Sequence, residues 1–152
     1  MFQASPAAMY HADDHHADYL LLLGTNPKVS NRGHAPTDTL KQVSRDDKRT
    51  LVVVDPRRTE TARGADIHLA VRPGGDCYLL LGMLATIVRE GRADRAFLQR
   101  HVDGFSALEE ALAAVDVADM ALRAGVDRAQ LEAVARGYAA AKSAAILSDL
   151  GV

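Results

Sequence analysis

Four consecutive apolar residues, Leu51-Val52-Val53-Val54, run directly into Asp55-Pro56-Arg57-Arg58. So short and so β-branched a run, stopped by a proline, reads as a strand buried on both faces, as in a parallel sheet. Pro56 has no N–H to give the ladder, so the chain leaves the sheet at Asp55. One carboxylate and two guanidinium groups therefore stand just past the carboxyl end of a central strand. That is the edge at which open α/β sheets bind ligands.

The same arrangement recurs on either side. Tyr19-Leu20-Leu21-Leu22-Leu23 reads as a first buried strand, closed by Gly24-Thr25-Asn26-Pro27. Glycine there lets the backbone approach a ligand, Asn26 offers an amide donor and acceptor, and Pro27 blocks continuation, although a plain turn explains the same residues on local grounds. Lys28 to Pro36 reads as polar loop, and Thr37 as the cap of a helix carrying Leu40 and Val43. Thr59 to Gly64 predicts a short helix or turn, and the alternation in Ala65-Asp66-Ile67-His68-Leu69-Ala70-Val71 a third strand. Arg72-Pro73-Gly74-Gly75-Asp76 follows, with Asp76 where a helix N-cap belongs. Leu79, Leu80, Met83, Leu84, Ile87 and Val88 then recur at helical spacing as far as Gly91.

Beyond Asp94 the pattern is helical almost to the end. Ala96-Phe97-Leu98 with His101-Val102 predicts one short helix. Ser106-Ala107-Leu108-Glu109 reads as a capping box opening another, with Leu108, Leu112 and Val115 inward. Asp127-Arg128-Ala129-Gln130 opens a third, and Ser143-Ala144-Ala145-Ile146-Leu147 reads as a fourth buried strand. The predicted fold is a three-layer α/β domain over residues 18–152, a doubly wound, mainly parallel, Rossmann-like sheet with a helical C-terminal half. A buried-type strand running into a glycine-bearing turn at the chain end also predicts a piece of a larger protein.

Residues 1–17 show no periodicity. His11, Asp13, Asp14, His15 and His16 are types that ligate first-row metals, but the segment reads as a solvated, poorly ordered terminus. With 48% hydrophobic and 25% charged residues and a net charge of −2, the chain gives no sign of a nucleic-acid surface. The apolar run at Tyr19 to Leu23 is too short to span a bilayer, and the expectation is a soluble, cytoplasmic protein without membrane contact. The lone Cys77 excludes an internal disulfide or a multi-cysteine metal site. His68 reads as a partly exposed strand residue.

If the three junctions share an edge, their chemistry suits a nucleotide. The acid ending the second strand can accept from ribose hydroxyls, and arginine offers a forked donor to phosphate. A second carboxylate can take two N–H donors from guanine, and N–H groups at a helix start favour anions. No GxGxxG fingerprint follows the first strand, which argues against an ordinary NAD site.

Gly24-Thr25-Asn26-Pro27, then Val52 to Ala62, then Ala65-Asp66-Ile67-His68-Leu69 and Arg72-Pro73-Gly74-Gly75-Asp76 resemble the molybdopterin oxidoreductases, and within them the formate dehydrogenase catalytic subunit. Phe97-Leu98, Gly104-Phe105 and Lys142 to Leu147 extend the likeness over about residues 18 to 152. The resemblance implies a domain holding one molybdopterin guanine dinucleotide of a bis-pterin molybdenum or tungsten centre. On it, Gly24, Thr25 and Asn26 lie along the cofactor. Asp55, Pro56, Arg57, Arg58 and Thr59 hold the guanosine ribose and its neighbours, and Gly74, Gly75 and Asp76 meet the guanine. The family usually has threonine or serine where Gly75 stands, so one hydroxyl is lacking here. The resemblance also implies a 4Fe–4S cluster, the metal-attaching residue and a further pterin domain in segments beyond this chain, with an electron-transfer subunit as a possible partner. The chain alone is then not expected to catalyse a reaction. Two alternatives are a non-catalytic relative, such as a respiratory NADH dehydrogenase subunit, and a stand-alone nucleotide-binding module.

Overall fold

The computed structural model describes residues 13–30, 36–149 and 151. Four parallel strands, β1 (Tyr19–Leu23), β2 (Thr50–Val54), β3 (Ile67–Leu69) and β4 (Ala144–Ser148), form one sheet in the order β3-β2-β1-β4. β1 and β2 occupy the centre. Their side chains are buried on both faces, as the unbroken apolar runs require, apart from Thr50 at the entrance to β2.

The helices are α1 (Pro27–Ser30), α2 (Pro36–Val43), α3 (Asp76–Arg89), α4 (Arg95–His101), α5 (Phe105–Ala113), α6 (Val117–Ala124) and α7 (Arg128–Ala140). A 3₁₀ turn spans Ala62–Gly64. From β1 to β3 the chain steps across the sheet in one direction. Leu40 and Val43 of α2 and Ala62 of the 3₁₀ turn cover the face that carries Leu20, Leu22, Leu51 and Val53. From β3 it returns past β2 and β1 to β4, and α3, α5, α6 and α7 cover Leu21, Leu23, Val52, Val54 and Leu69 on the other face. Layers on both faces, and this reversal between β1 and β4, make the sheet doubly wound, as expected.

Several local expectations are corrected. β4 is an edge strand with Ile146 39% exposed, because only one of its sides has a neighbour. Gly104, in the left-handed region at φ +76°, precedes α5, so Ser106 lies inside that helix and Leu108 faces solvent. Thr37 likewise falls inside α2 rather than capping it. α6 was not foreseen; Asp116 caps it by accepting from the N–H groups of Ala118 and Asp119. Asp127 caps α7 as expected, accepting from the Gln130 N–H at 3.0 Å. Residues 1–12 of the N-terminal segment lie outside the described residues. No helix among those described is long and apolar enough to cross a membrane.

Candidate functional site

The register places Leu23 beside Val54 and Val54 beside Leu69, so β1, β2 and β3 end level with one another. Neighbouring strands lie about 4.8 Å apart, so the three junctions that follow form one rim. Gly24-Thr25-Asn26 and Asp55 to Thr59 follow the ends of β1 and β2 directly, and Gly74-Gly75-Asp76 begins five residues beyond the end of β3.

The first two junctions are bolted to each other. Asn26 Nδ2 donates to Glu60 Oε2 at 2.8 Å, while its Oδ1 accepts from the Thr61 hydroxyl at 2.6 Å and from the Thr61 N–H at 3.3 Å. The Lys28 N–H adds a bond to Thr61 Oγ1. The Glu60 carboxyl is held below the usual range first by its own backbone N–H and then by the Asn26 amide. The Asn26 side chain is therefore a strut, and any ligand contact in that loop falls to the backbone and to Thr25. Thr25 is 95% buried and its hydroxyl has no partner among the described residues. Replacing Asn26 by alanine leaves Glu60 and Thr61 without these bonds; the expected loss is about 2 kcal/mol of unfolding free energy, read by urea denaturation.

At the second junction Asp55 Oδ1 accepts from the Arg57 N–H at 2.8 Å, an Asx turn that leaves Oδ2 without a partner among the described residues. His68 reaches across from β3, and its Nε2 donates to the Asp55 carbonyl at 2.9 Å. His68 is half-buried as read from the sequence, but with a definite task of holding this turn. Thr59 is buried and its hydroxyl accepts from the Ala62 N–H, so it too is structural. Pro56, Arg57 and Arg58 are exposed, and no carboxylate among the described residues forms an ion pair with either arginine.

The third junction departs from its expected cap. α3 begins at Asp76, which makes Gly75 the N-cap and leaves the first-turn N–H groups without a capping side chain. Gly75 donates its N–H to the Arg72 carbonyl at 2.7 Å. A Cβ on it would lie 2.8 Å from the Arg72 carbonyl oxygen and 3.0 Å from that of Ala124, at the end of α6. In this chain a side chain at position 75 would need the Arg72 turn or the end of α6 to shift.

Asp76 itself is 92% buried. No group among the described residues donates a hydrogen bond to its carboxylate. Its carboxylate oxygens therefore still reach solvent. Cys77, in the same turn, is exposed and in no disulfide. Among the described residues no three His, Cys, Asp or Glu side chains assemble into a metal-binding group.

The family model for molybdopterin oxidoreductases matches residues 8–149. The chain belongs to the molybdopterin oxidoreductase family. Formate dehydrogenase H of Escherichia coli is 37% identical over 102 residues, 67% of this chain and 14% of that protein. A nitrate reductase of Shewanella frigidimarina is 40% identical over 83 residues, 53% of this chain and 9% of that protein. Among solved structures, acetylene hydratase from Pelobacter acetylenicus superposes with a TM-score of 0.75 at 29% identity, covering 89% of this chain and 18% of that one. The chain thus spans less than a fifth of each of these relatives. It is a molybdopterin oxidoreductase domain whose α/β, mainly parallel fold is the one read from the sequence.

The residues missed by sequence reasoning are mostly the supports. Thr61 and Glu60 stand in the quoted motif, but their partner Asn26 lies more than thirty positions earlier. Ala124 contributes only a carbonyl, for which no side-chain signal exists.

Proposed function

We propose that this chain holds the guanosine end of one molybdopterin guanine dinucleotide within a bis-pterin molybdenum or tungsten oxidoreductase, and that the whole protein is formate dehydrogenase-like. The observation that carries the reading is Asp76, a largely buried residue after β3 whose carboxylate has no donor among the described residues and keeps its oxygens open to a ligand. Guanine presents two adjacent N–H donors to such a group, whereas adenine presents an acceptor in their place. The fit is chemical as well as spatial: Asp55 keeps one oxygen for a ribose hydroxyl, and Arg57 and Arg58 remain free for phosphate. Gly24, Thr25 and Asn26 line the cofactor's path through backbone and the Thr25 hydroxyl, and Pro56, Thr59, Gly74 and Gly75 shape the turns.

When bound, the cofactor supplies two-electron redox chemistry at its metal; this chain's residues bind and orient it. The remaining domains of the same enzyme, a 4Fe–4S cluster outside this chain, an electron-transfer subunit and a cytoplasmic setting belong to the same proposal.

The reading is tested by ligand-dependent melting of the 152-residue chain. GDP at a hundred times its dissociation constant should raise stability by about 2.7 kcal/mol. ADP at the same concentration should do much less. Equal protection by both nucleotides, or by neither, would sink the reading.

A further inference from the structure

Arg72 lies outside the motif residues assigned above, yet its position is more constrained than that of Arg57 or Arg58. Its backbone N–H donates to the Ala124 carbonyl at 2.8 Å, and its own carbonyl accepts from Gly75. Its side chain runs across Gly125, the left-handed residue (φ +78°) that ends α6. A Cβ there would lie 2.5 Å from Arg72 Cγ and 3.0 Å from Nε. The absent side chain at position 125 is the slot in which the arginine stem rests.

The head of Arg72 is exposed, and no carboxylate among the described residues forms an ion pair with it. Arg123, two residues before Gly125, differs: it is engaged by Asp119 at 2.7 Å and lies over the Tyr78 ring. An arginine whose stem is fixed and whose fork is empty has already lost part of the freedom that binding would otherwise remove. It stands four residues before Asp76, on the β3 junction, beside the β2 junction that carries Arg57 and Arg58.

We infer that Arg72, seated over Gly125, is the residue that reads the diphosphate of the guanine nucleotide, while Asp76 reads the base. The inference rests on the nucleotide-binding reading above. Gly125 acts on the ligand only through Arg72 and is a positioning residue.

Titration calorimetry of the 152-residue chain with GDP and with GMP separates the two roles. The intact chain binds GDP more tightly than GMP. Arg72→Gln should lower the GDP-to-GMP affinity ratio about tenfold and leave GMP affinity unchanged. Arg72→Lys, which keeps the charge and loses the fork, should fall between them, and Gly125→Ala should match Arg72→Gln because the stem is displaced. An unchanged ratio with a lower melting temperature would make Arg72 a cation for the C-terminus of α6 and overturn the inference. Binding that prefers guanine with a ratio indifferent to Arg72 would overturn this inference alone; loss of the guanine preference in the intact chain would remove the parent reading as well.

Discussion

Replacing Asp76 by alanine should erase the preference for guanine over adenine while leaving the melting temperature almost unchanged. The two halves of that expectation have different causes. A carboxylate taking two N–H donors makes charge-assisted bonds, and losing them should weaken GDP binding by about 10- to 100-fold. ADP makes no such bonds and should be unaffected. Stability should hardly change, because the carboxylate has no hydrogen-bond partner among the described residues to lose. What is forfeited is the favourable placement of a negative charge in the first turn of α3, worth about 0.3–1 kcal/mol. Calorimetry with both nucleotides, beside a thermal melt, reads both quantities. A large drop in melting temperature with intact guanine preference would assign Asp76 to the helix start and nothing more.

Leu131→Ala should cost about 3 kcal/mol of unfolding free energy, the largest stability loss foreseen here. Leu131 is fully buried in α7 and its Cδ1 packs over Gly82 of α3, in the cluster shared with Leu21, Val52 and Leu79. Truncation leaves a cavity between two helices pinned from several sides, so collapse is incomplete. Denaturant titration measures the loss. Because α3 starts at Asp76, the same variant tests how far the helical layer steadies the rim; its guanine preference should survive wherever the chain remains folded.

The sequence made the sheet's centre legible for a physical reason. β1 and β2 are buried on both faces, and only an unbroken apolar run satisfies that. β4 looked the same, yet Ala144 to Ser148 lies at an edge, since the order of strands depends on crossovers that no local pattern encodes. α6 was missed although Asp116 marks its start and one of its faces is apolar, because eight residues between two longer helices resemble a connection. At the rim, the positions of Asp55 and Asp76 followed from strand ends. The roles of Asn26 and Gly75 did not: the first depends on Glu60 and Thr61, the second on the Ala124 carbonyl, and such long-range pairings appear only when the chain is folded.

The Asn26 strut has a consequence for ligand capture. Loops that close on a ligand surrender conformational entropy at the moment of encounter, and that loss is subtracted from affinity. Here the turn after the first strand is already fastened to the one after the second, and the third to the end of a helix. Their disorder was removed when the polypeptide folded. A guest therefore meets a rim that need not be organised around it, and the residual penalty is chiefly the guest's own loss of translation and tumbling.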